Sequence, residues 1–299
     1  MNTVKVKAYA KVNLTLEIVG ESGGFHMLDS LVASLDLFDL IVLKKRKDKL
    51  SFVEMKGLDG GAIPPENNNT LKAVERFSER FGVNGANVTV YRNIPTGAGL
   101  GSSSADISGA LVGMAKLYGV NDENGIVEIA NELGSDTRYM LEGGFARMQG
   151  RGERVSFLPL GNTLHFLAIC PKTPVLSGAC YKEYDKEPTV GEKNATEKCL
   201  RALAQNDLLG VGMCLTNDLF APAVRLNKDV LTAYEEAKAF SPLGVVMTGS
   251  GSCVLAMFET RELCEWAKSR YAGKFRCFTC RTIVPKAKKG WNNPFVLGE

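Results

Sequence analysis

Cysteine is missing from the first half of the 299-residue sequence; all eight lie between Cys170 and Cys280. Histidine is scarcer still, with only His26 and His165, so no histidine cluster or second cysteine pair can complete a zinc site around Cys277-x-x-Cys280. Arg276-Cys277-Phe278-Thr279-Cys280 alternates like a strand, which predicts two buried or half-buried thiols instead of a redox pair. No apolar run approaches the roughly 18 residues of a membrane span. Lys5 and Lys7 stand where an export signal would be apolar, so a cytoplasmic protein without a membrane partner is expected. Charge of one sign is lacking as well. A formal net charge of +3 with no aromatic-basic surface gives no sign of nucleic-acid binding. The basic run Lys44-Lys45-Arg46-Lys47, closed by Asp48, reads as a solvated strand end or turn.

A chain of this length that is 45% hydrophobic can bury a substantial core, and two domains are expected, residues 1–158 and 159–299. Strands are predicted at Val4–Ile18, Leu37–Lys44 and Asn87–Tyr91, and a helix over Thr70–Phe81 between Asn67-Asn68-Asn69 and Gly82. Another helix spans about Asp122–Leu133. Beyond residue 160 the pattern predicts strands at Leu164–Cys170, Val245–Met247, Cys253–Phe258 and Phe275–Val284. Helices are predicted at Glu192–Asn206, Asp229–Ala239 and Leu263–Tyr271, with charged Lys182–Lys193 a loop. This order, without regular βα alternation, argues an α+β fold.

The most informative stretch is Ile94-Pro95-Thr96-Gly97-Ala98-Gly99-Leu100-Gly101-Ser102-Ser103-Ser104. Glycines at 97, 99 and 101 remove the side chains that would keep an anion off the backbone. Ile107, Ala110, Leu111, Met114, Ala115 and Tyr118 then recur at helical spacing. A glycine-rich loop opening into a helix aims unpaired N–H groups and the positive dipole end at one spot, a site for phosphate. A plain helix start is the alternative, since Ser103-x-x-Asp106 fits a capping box. On the phosphate reading, a branched side chain at Gly99 should block the nucleotide and leave the fold intact. The helix start has no lysine, as a Walker loop would require, and the dinucleotide and protein-kinase signatures are missing.

The loop, with Pro95 four residues before Gly99-Leu100-Gly101-Ser102-Ser103, resembles the second motif of the GHMP kinases. Ala10-Lys11-Val12-Asn13-Leu14-Thr15-Leu16 resembles the first motif, and Met247-Thr248-Gly249-Ser250-Gly251-Ser252-Cys253-Val254 the third. Gly24-Phe25-His26, Leu35-Asp36-Leu37-Phe38-Asp39 and Leu133-Gly134-Ser135-Asp136 are similar to the branch of the family acting on diphosphocytidyl-methylerythritol, on the non-mevalonate route to isoprenoids. The resemblance implies an N-terminal glycine-loop nucleotide domain and a C-terminal ferredoxin-like α/β domain. It implies ATP and Mg²⁺ as cofactors, a small alcohol carrying cytidine as substrate, and a monomer or homodimer. Lys11 and Asp136 would be catalytic. Asn13, Phe25, His26 and Tyr181 would bind substrate, with Phe25 and Tyr181 sandwiching the base and His26 reading its edge. Pro95, Gly97, Ala98, Gly99, Leu100, Gly101, Ser102, Ser103 and Ser104 would hold the nucleotide. No side chain is assigned to the metal.

Several residues depart from that branch: Gly23-Gly24-Phe25, Ser102-Ser103 and Thr137-Arg138. A kinase of a sugar, homoserine or mevalonate therefore stays open, as does a silent sensor, though a sensor should have lost Lys11 or Asp136. Gly249-Ser250-Gly251 serves equally as a tight turn or as an approach to phosphate, and Asn67-Asn68-Asn69-Thr70 as a helix cap or an adenine-pocket border. His165, inside an apolar strand, reads as structural.

Overall fold

A computed structural model describes residues 2–58, 61, 63–188, 194–283 and 296–297. The chain opens with one long hairpin, β1 (Thr3–Ser22) and β2 (Phe25–Lys45). Its turn, Gly23-Gly24, has φ of +59° and +75°, the left-handed geometry that a tight hairpin demands. The sequence predicted only Leu37–Lys44 of β2. Three register shifts interrupt the pairing; one puts extra residues into β2 between Ser34 and Phe38, and Ser30–Leu35 is buried on both faces, so the period-two pattern that would have revealed the rest is missing.

Six further strands complete the first sheet: β3 (Phe52–Gly57), β4 (Ala86–Arg92), β5 (Phe145–Gly150), β6 (Arg154–Leu158), β8 (Thr216–Asn217) and β12 (Val296–Leu297). Its path runs β12-β1-β2-β4-β3, with β5 and β6 continuing from β2 and β8 lying beside β1. Of the helices α1 (Asn69–Phe81), α2 (Ser102–Tyr118), α3 (Glu123–Leu133) and α4 (Thr137–Glu142), α2 lies on this sheet and the others pack against α2. Helix α1 begins where the Asn68 side chain accepts the Leu71 N–H at 3.1 Å and stops at left-handed Gly82, so Asn68 serves as a cap. Helix α2 is buried nearly all round, as a central helix must be. It lies close to the sheet because Gly109 and Gly113 face Ile41, Ala8 and Leu43.

The second sheet contains β7 (His165–Cys170), β9 (Gly244–Met247), β10 (Val254–Phe258) and β11 (Arg276–Arg281) in the order β11-β7-β10-β9, every pair antiparallel. Counted within that sheet, the order is fourth, first, third, second, the ferredoxin-like arrangement. Between β7 and β9 run α5 (Ser177–Lys186), α6 (Ala195–Ala204), α7 (Leu208–Cys214), α8 (Phe220–Leu226) and α9 (Asp229–Lys238); α10 (Arg261–Arg270) links β10 to β11. The α+β expectation is thus met. Val284, Glu192 and Lys193, at the edges of predicted elements, lie outside the described residues.

Lys182–Lys186, predicted as loop, is the end of α5. Its polar sequence is held helical by Glu183, which accepts from Arg225 at 3.1 Å, and by buried Cys180 and Tyr184. Cys170 and Cys253 are joined as a disulfide; Cys277 is half-buried and free, Cys280 buried and free. Arg46 donates twice to Asp48, closing a surface turn as the basic run suggested. No described helix is long and apolar enough to cross a membrane.

A Cβ on Gly109 would stand 2.6 Å from Ile41 Cδ1 and 3.0 Å from Ala8 Cβ. Gly109→Val should therefore lift α2 off the sheet and destabilise the protein by about 1–3 kcal/mol, the usual cost of overpacking, measurable by urea unfolding.

Candidate active site

Strand β1 alternates apolar Val12, Leu14 and Leu16 with polar Lys11, Asn13, Thr15 and Glu17, and all of them are buried. Burying polar groups is costly without partners, and each of these has one. Lys11 Nζ donates to Asn13 Oδ1 and lies 3.4 Å from Asp136 Oδ2. Asn13 donates through Nδ2 to Ser30 Oγ at 2.8 Å, and its Oδ1 accepts the Gly249 N–H at 3.0 Å. Thr15 pairs with the Thr196 hydroxyl at 2.7 Å, and Glu17 accepts the first N–H groups of α6, from Ala195 and Thr196.

Asp136 stands at the start of α4 but does not cap it, which leaves its one-third-exposed carboxylate facing Lys11. The helix is fixed by Tyr139, fully buried, whose hydroxyl meets Ser34 at 3.0 Å and donates to the Gly144 carbonyl at 2.7 Å. Burial pushes the Tyr139 phenol well above its ordinary pKa.

The glycine loop joins this pair from one side and the third motif from the other. Gly97, Gly99 and Gly101 have φ of +65°, +78° and +79°. The Lys11 N–H donates to Leu100 O at 3.0 Å, and the Cys253 N–H to Ala98 O at 3.1 Å. Thr248 Oγ accepts the Asn13 N–H at 3.1 Å and donates to Gly99 O at 3.2 Å. Gly249-Ser250-Gly251 makes the turn from β9 into β10 and brings the Gly249 backbone against Gly99 and the Lys11 side chain. Helix α2 starts at Ser102 after left-handed Gly101, with no side-chain cap. The capping-box alternative is therefore set aside. The Asp106 carboxyl lies buried 3.5 Å from Arg92. The first turn of a 17-residue helix thus opens, uncapped, into three glycines with positive φ, the geometry of a phosphate cradle.

At the hairpin tip, the His26 ring stacks on Tyr181 at 5.0 Å and meets Tyr184 edge-on at 5.6 Å. His26 Nε2 lies 2.7 Å from Asp185 Oδ1. Burial, with the Asp136 charge adding to it, raises the Tyr181 phenol well above its ordinary pKa. Phe25 is 53% exposed, with the Arg151 guanidinium 4.7 Å over its ring. The structure thus sets His26, not Phe25, against Tyr181. His165 lies apart from these groups at the start of β7, and burial lowers its pKa.

Sequence reading missed Asp39, fully buried beneath the loop. Its Oδ1 accepts the Asn93 and Ile94 N–H groups at 2.6 and 2.8 Å. Burial raises its pKa, and burial together with the neighbouring Asp39 charge raises that of Asp106 well above the usual carboxylate range.

Residues 68–146 match the family model for the GHMP kinases N-terminal domain, and residues 199–270 the GHMP kinases C-terminal model. The chain is 34% identical over 267 residues to the 4-diphosphocytidyl-2-C-methyl-D-erythritol kinase of Caldanaerobacter subterraneus subsp. tengcongensis, covering 87% of this chain and 89% of that one. The protein of the same name from Moorella thermoacetica is 32% identical over 278 residues, covering 90% and 95%. A crystal structure of 4-(cytidine 5'-diphospho)-2C-methyl-D-erythritol kinase superposes with a TM-score of 0.78 at 26% identity, over 93% of this chain and 98% of that one. The homoserine kinase of Cytophaga hutchinsonii shares the fold, with a TM-score of 0.74 at 20% identity over 95% of each chain. The chain belongs to the GHMP kinases. It is an enzyme, a small-molecule kinase with an alcohol as acceptor and, as in its family, ATP as donor.

A Cβ on Gly99 would overlap the Thr248 carbonyl oxygen, whereas one on Gly119, also left-handed at φ +70°, would meet nothing within 4 Å. The expectation that a side chain at Gly99 blocks nucleotide alone is thereby corrected. Gly99→Ala should lower the melting temperature more than Gly119→Ala, and should also weaken ATP binding. Equal melting shifts for the two variants would show that the loops tolerate separation.

Proposed function

We propose that this kinase transfers the γ-phosphoryl group of ATP to the 2-hydroxyl of 4-diphosphocytidyl-2-C-methyl-D-erythritol. The observation that carries the substrate is the aromatic and imidazole cluster of His26, Tyr181 and Tyr184, at the tip of the hairpin whose β1 strand bears Lys11. It offers a flat base a stacking surface and one polar reader. The names of the relatives quoted above support the same substrate. Arg138, one of the departures from their pattern, is engaged by Glu142 at 2.6 Å and lies over Phe157.

In this mechanism Asp136 accepts the proton of the attacking hydroxyl. The new bond joins that oxygen to the γ-phosphorus, the bond from the γ-phosphorus to the bridging oxygen breaks, and ADP leaves. Lys11 is an ammonium with three donors, one directed to Asn13 and one toward Asp136. The third is free to meet charge developing on the transferring group, in a buried setting where such an interaction is strong. Asn13 positions Lys11 by accepting from it and from Gly249 N–H at once.

The phosphates lie along residues 95–104, against the uncapped start of α2. Among the described residues no group of three or more acidic, histidine or cysteine side chains could hold a metal by itself. The Ser103 and Ser104 hydroxyls and the Asp136 carboxylate are the hard oxygen donors suited to Mg²⁺. When bound, it neutralises phosphate charge.

Asp136→Asn should lower kcat by about 10²–10⁴-fold with ATP affinity nearly unchanged, the range for losing general-base assistance, and Lys11→Ala should behave alike. Near-normal turnover in either folded variant removes the assigned chemistry. Tyr181→Ala should weaken binding of the cytidine substrate by ~1–3 kcal/mol, the usual worth of base stacking. The substrate is tested by ADP release from diphosphocytidyl-methylerythritol, mevalonate, homoserine and galactose in parallel. Efficient turnover of one of the last three without cytidine dependence refutes the substrate and spares the kinase.

A further inference from the structure

We propose that Asp39 is a positioning residue for ATP, holding both ends of the phosphate loop on a single carboxylate. The proposal rests on the reading that residues 95–104 cradle the nucleotide. Asp39 Oδ1 takes the Asn93 and Ile94 N–H groups at 2.6 and 2.8 Å, immediately before the loop begins. Asp39 Oδ2 accepts from the Ser102 hydroxyl at 3.4 Å, where the loop becomes α2. One side chain on β2 therefore spans a segment whose three glycines give it no side chains of its own to hold its shape.

The surroundings fit this role. Asp39 is fully buried, as is Asp106 one turn beyond Ser102 on α2, and Arg92 at the end of β4 lies 3.5 Å from Asp106. From the opposite side Arg276 donates to the Asn93 carbonyl at 3.3 Å. A buried carboxylate is a poor choice for packing alone, since an apolar side chain would fill the volume without the desolvation penalty. What an apolar side chain could not do is accept two adjacent N–H groups on one oxygen and a hydroxyl on the other. Opposite Asp39, the Thr248 and Cys253 contacts hold the middle of the loop. Asp39 sets its ends.

The test uses the full chain and calorimetric binding of Mg·AMP-PNP, followed by steady-state kinetics. The wild-type protein is measured first; if it binds no analogue, the nucleotide reading itself fails, separately from this proposal. Asp39→Ala should bind the analogue at least tenfold more weakly, and its KM for ATP should rise likewise, with KM for the alcohol changed less than twofold. Asp39→Asn should stay within about threefold of wild type for ATP, because its amide oxygen can take both N–H groups and its NH₂ can face Ser102 and Asp106. Wild-type ATP affinity in folded Asp39→Ala overturns the proposal. So does an equal rise in both KM values, or a more than tenfold loss in folded Asp39→Asn. An Asp39→Ala chain that cannot fold also counts against it, since Asp39 would then serve the fold and not the loop.

Discussion

The backbone of the glycine loop lies so close to the β9–β10 turn that no side chain fits between Gly99 and Thr248. The rest of the site follows from that approach. It allows Thr248 to bond the Asn13 N–H and the Gly99 carbonyl together, and it brings the Gly249 N–H to the same Asn13 that receives Lys11. A chain with any larger residue at position 99 would hold the two motifs apart, and Lys11 would lose the neighbour that fixes its partner. The second sheet thus shapes the glycine loop by packing a turn against it.

That packing also explains a run of buried polar side chains on β1. Lys11, Asn13, Thr15 and Glu17 would be destabilising in an apolar core, yet each meets a partner from a distant segment: Asp136 for Lys11, Ser30 and Thr248 for Asn13, Thr196 for Thr15, and the start of α6 for Glu17. Polar groups satisfied in this way fix register more strictly than apolar ones, because a slip would leave several of them unpaired. At the tip of the same hairpin, helix α5 holds His26 by ring face, ring edge and nitrogen. The hairpin therefore links the reacting end of the site to the end proposed to recognise the base.

How much of this could be read from the sequence depended on how local the cause was. The limits of α1 and α3 were legible because Asn68, Gly82 and Asp122 act within a turn of where they stand. The first half of β2 was not, since Ser30–Leu35 is buried on both faces and an irregularity before Phe38 removes the alternation that marks a strand. Helix α5 was hidden by its charge, which is satisfied by Arg225 far along the chain. In the site, Lys11, Asn13, Asp136 and the glycines were named from their motifs, and the structure brings them together. The interplay of His26 with Asp185, 159 residues away, had no local signal. Asp39 sat in a motif already noticed, but its partners lie 54 to 63 residues beyond it. That His26 stacks on Tyr181 while Phe25 stands exposed is a matter of how the hairpin tip turns, which composition does not encode.

The bond from Asn13 to Thr248 spans 235 residues. At roughly 5–20 residues per second of synthesis, a nascent chain waits on the order of 10–50 s between making the first motif and making the third. Throughout that interval the polar run of β1 lacks Thr248, and for most of it Thr196 as well, so the hairpin presents an incomplete surface to the cell. The same long-range closure that makes the finished site rigid therefore leaves a window during translation in which the first sheet must remain soluble without the segments that later cover it.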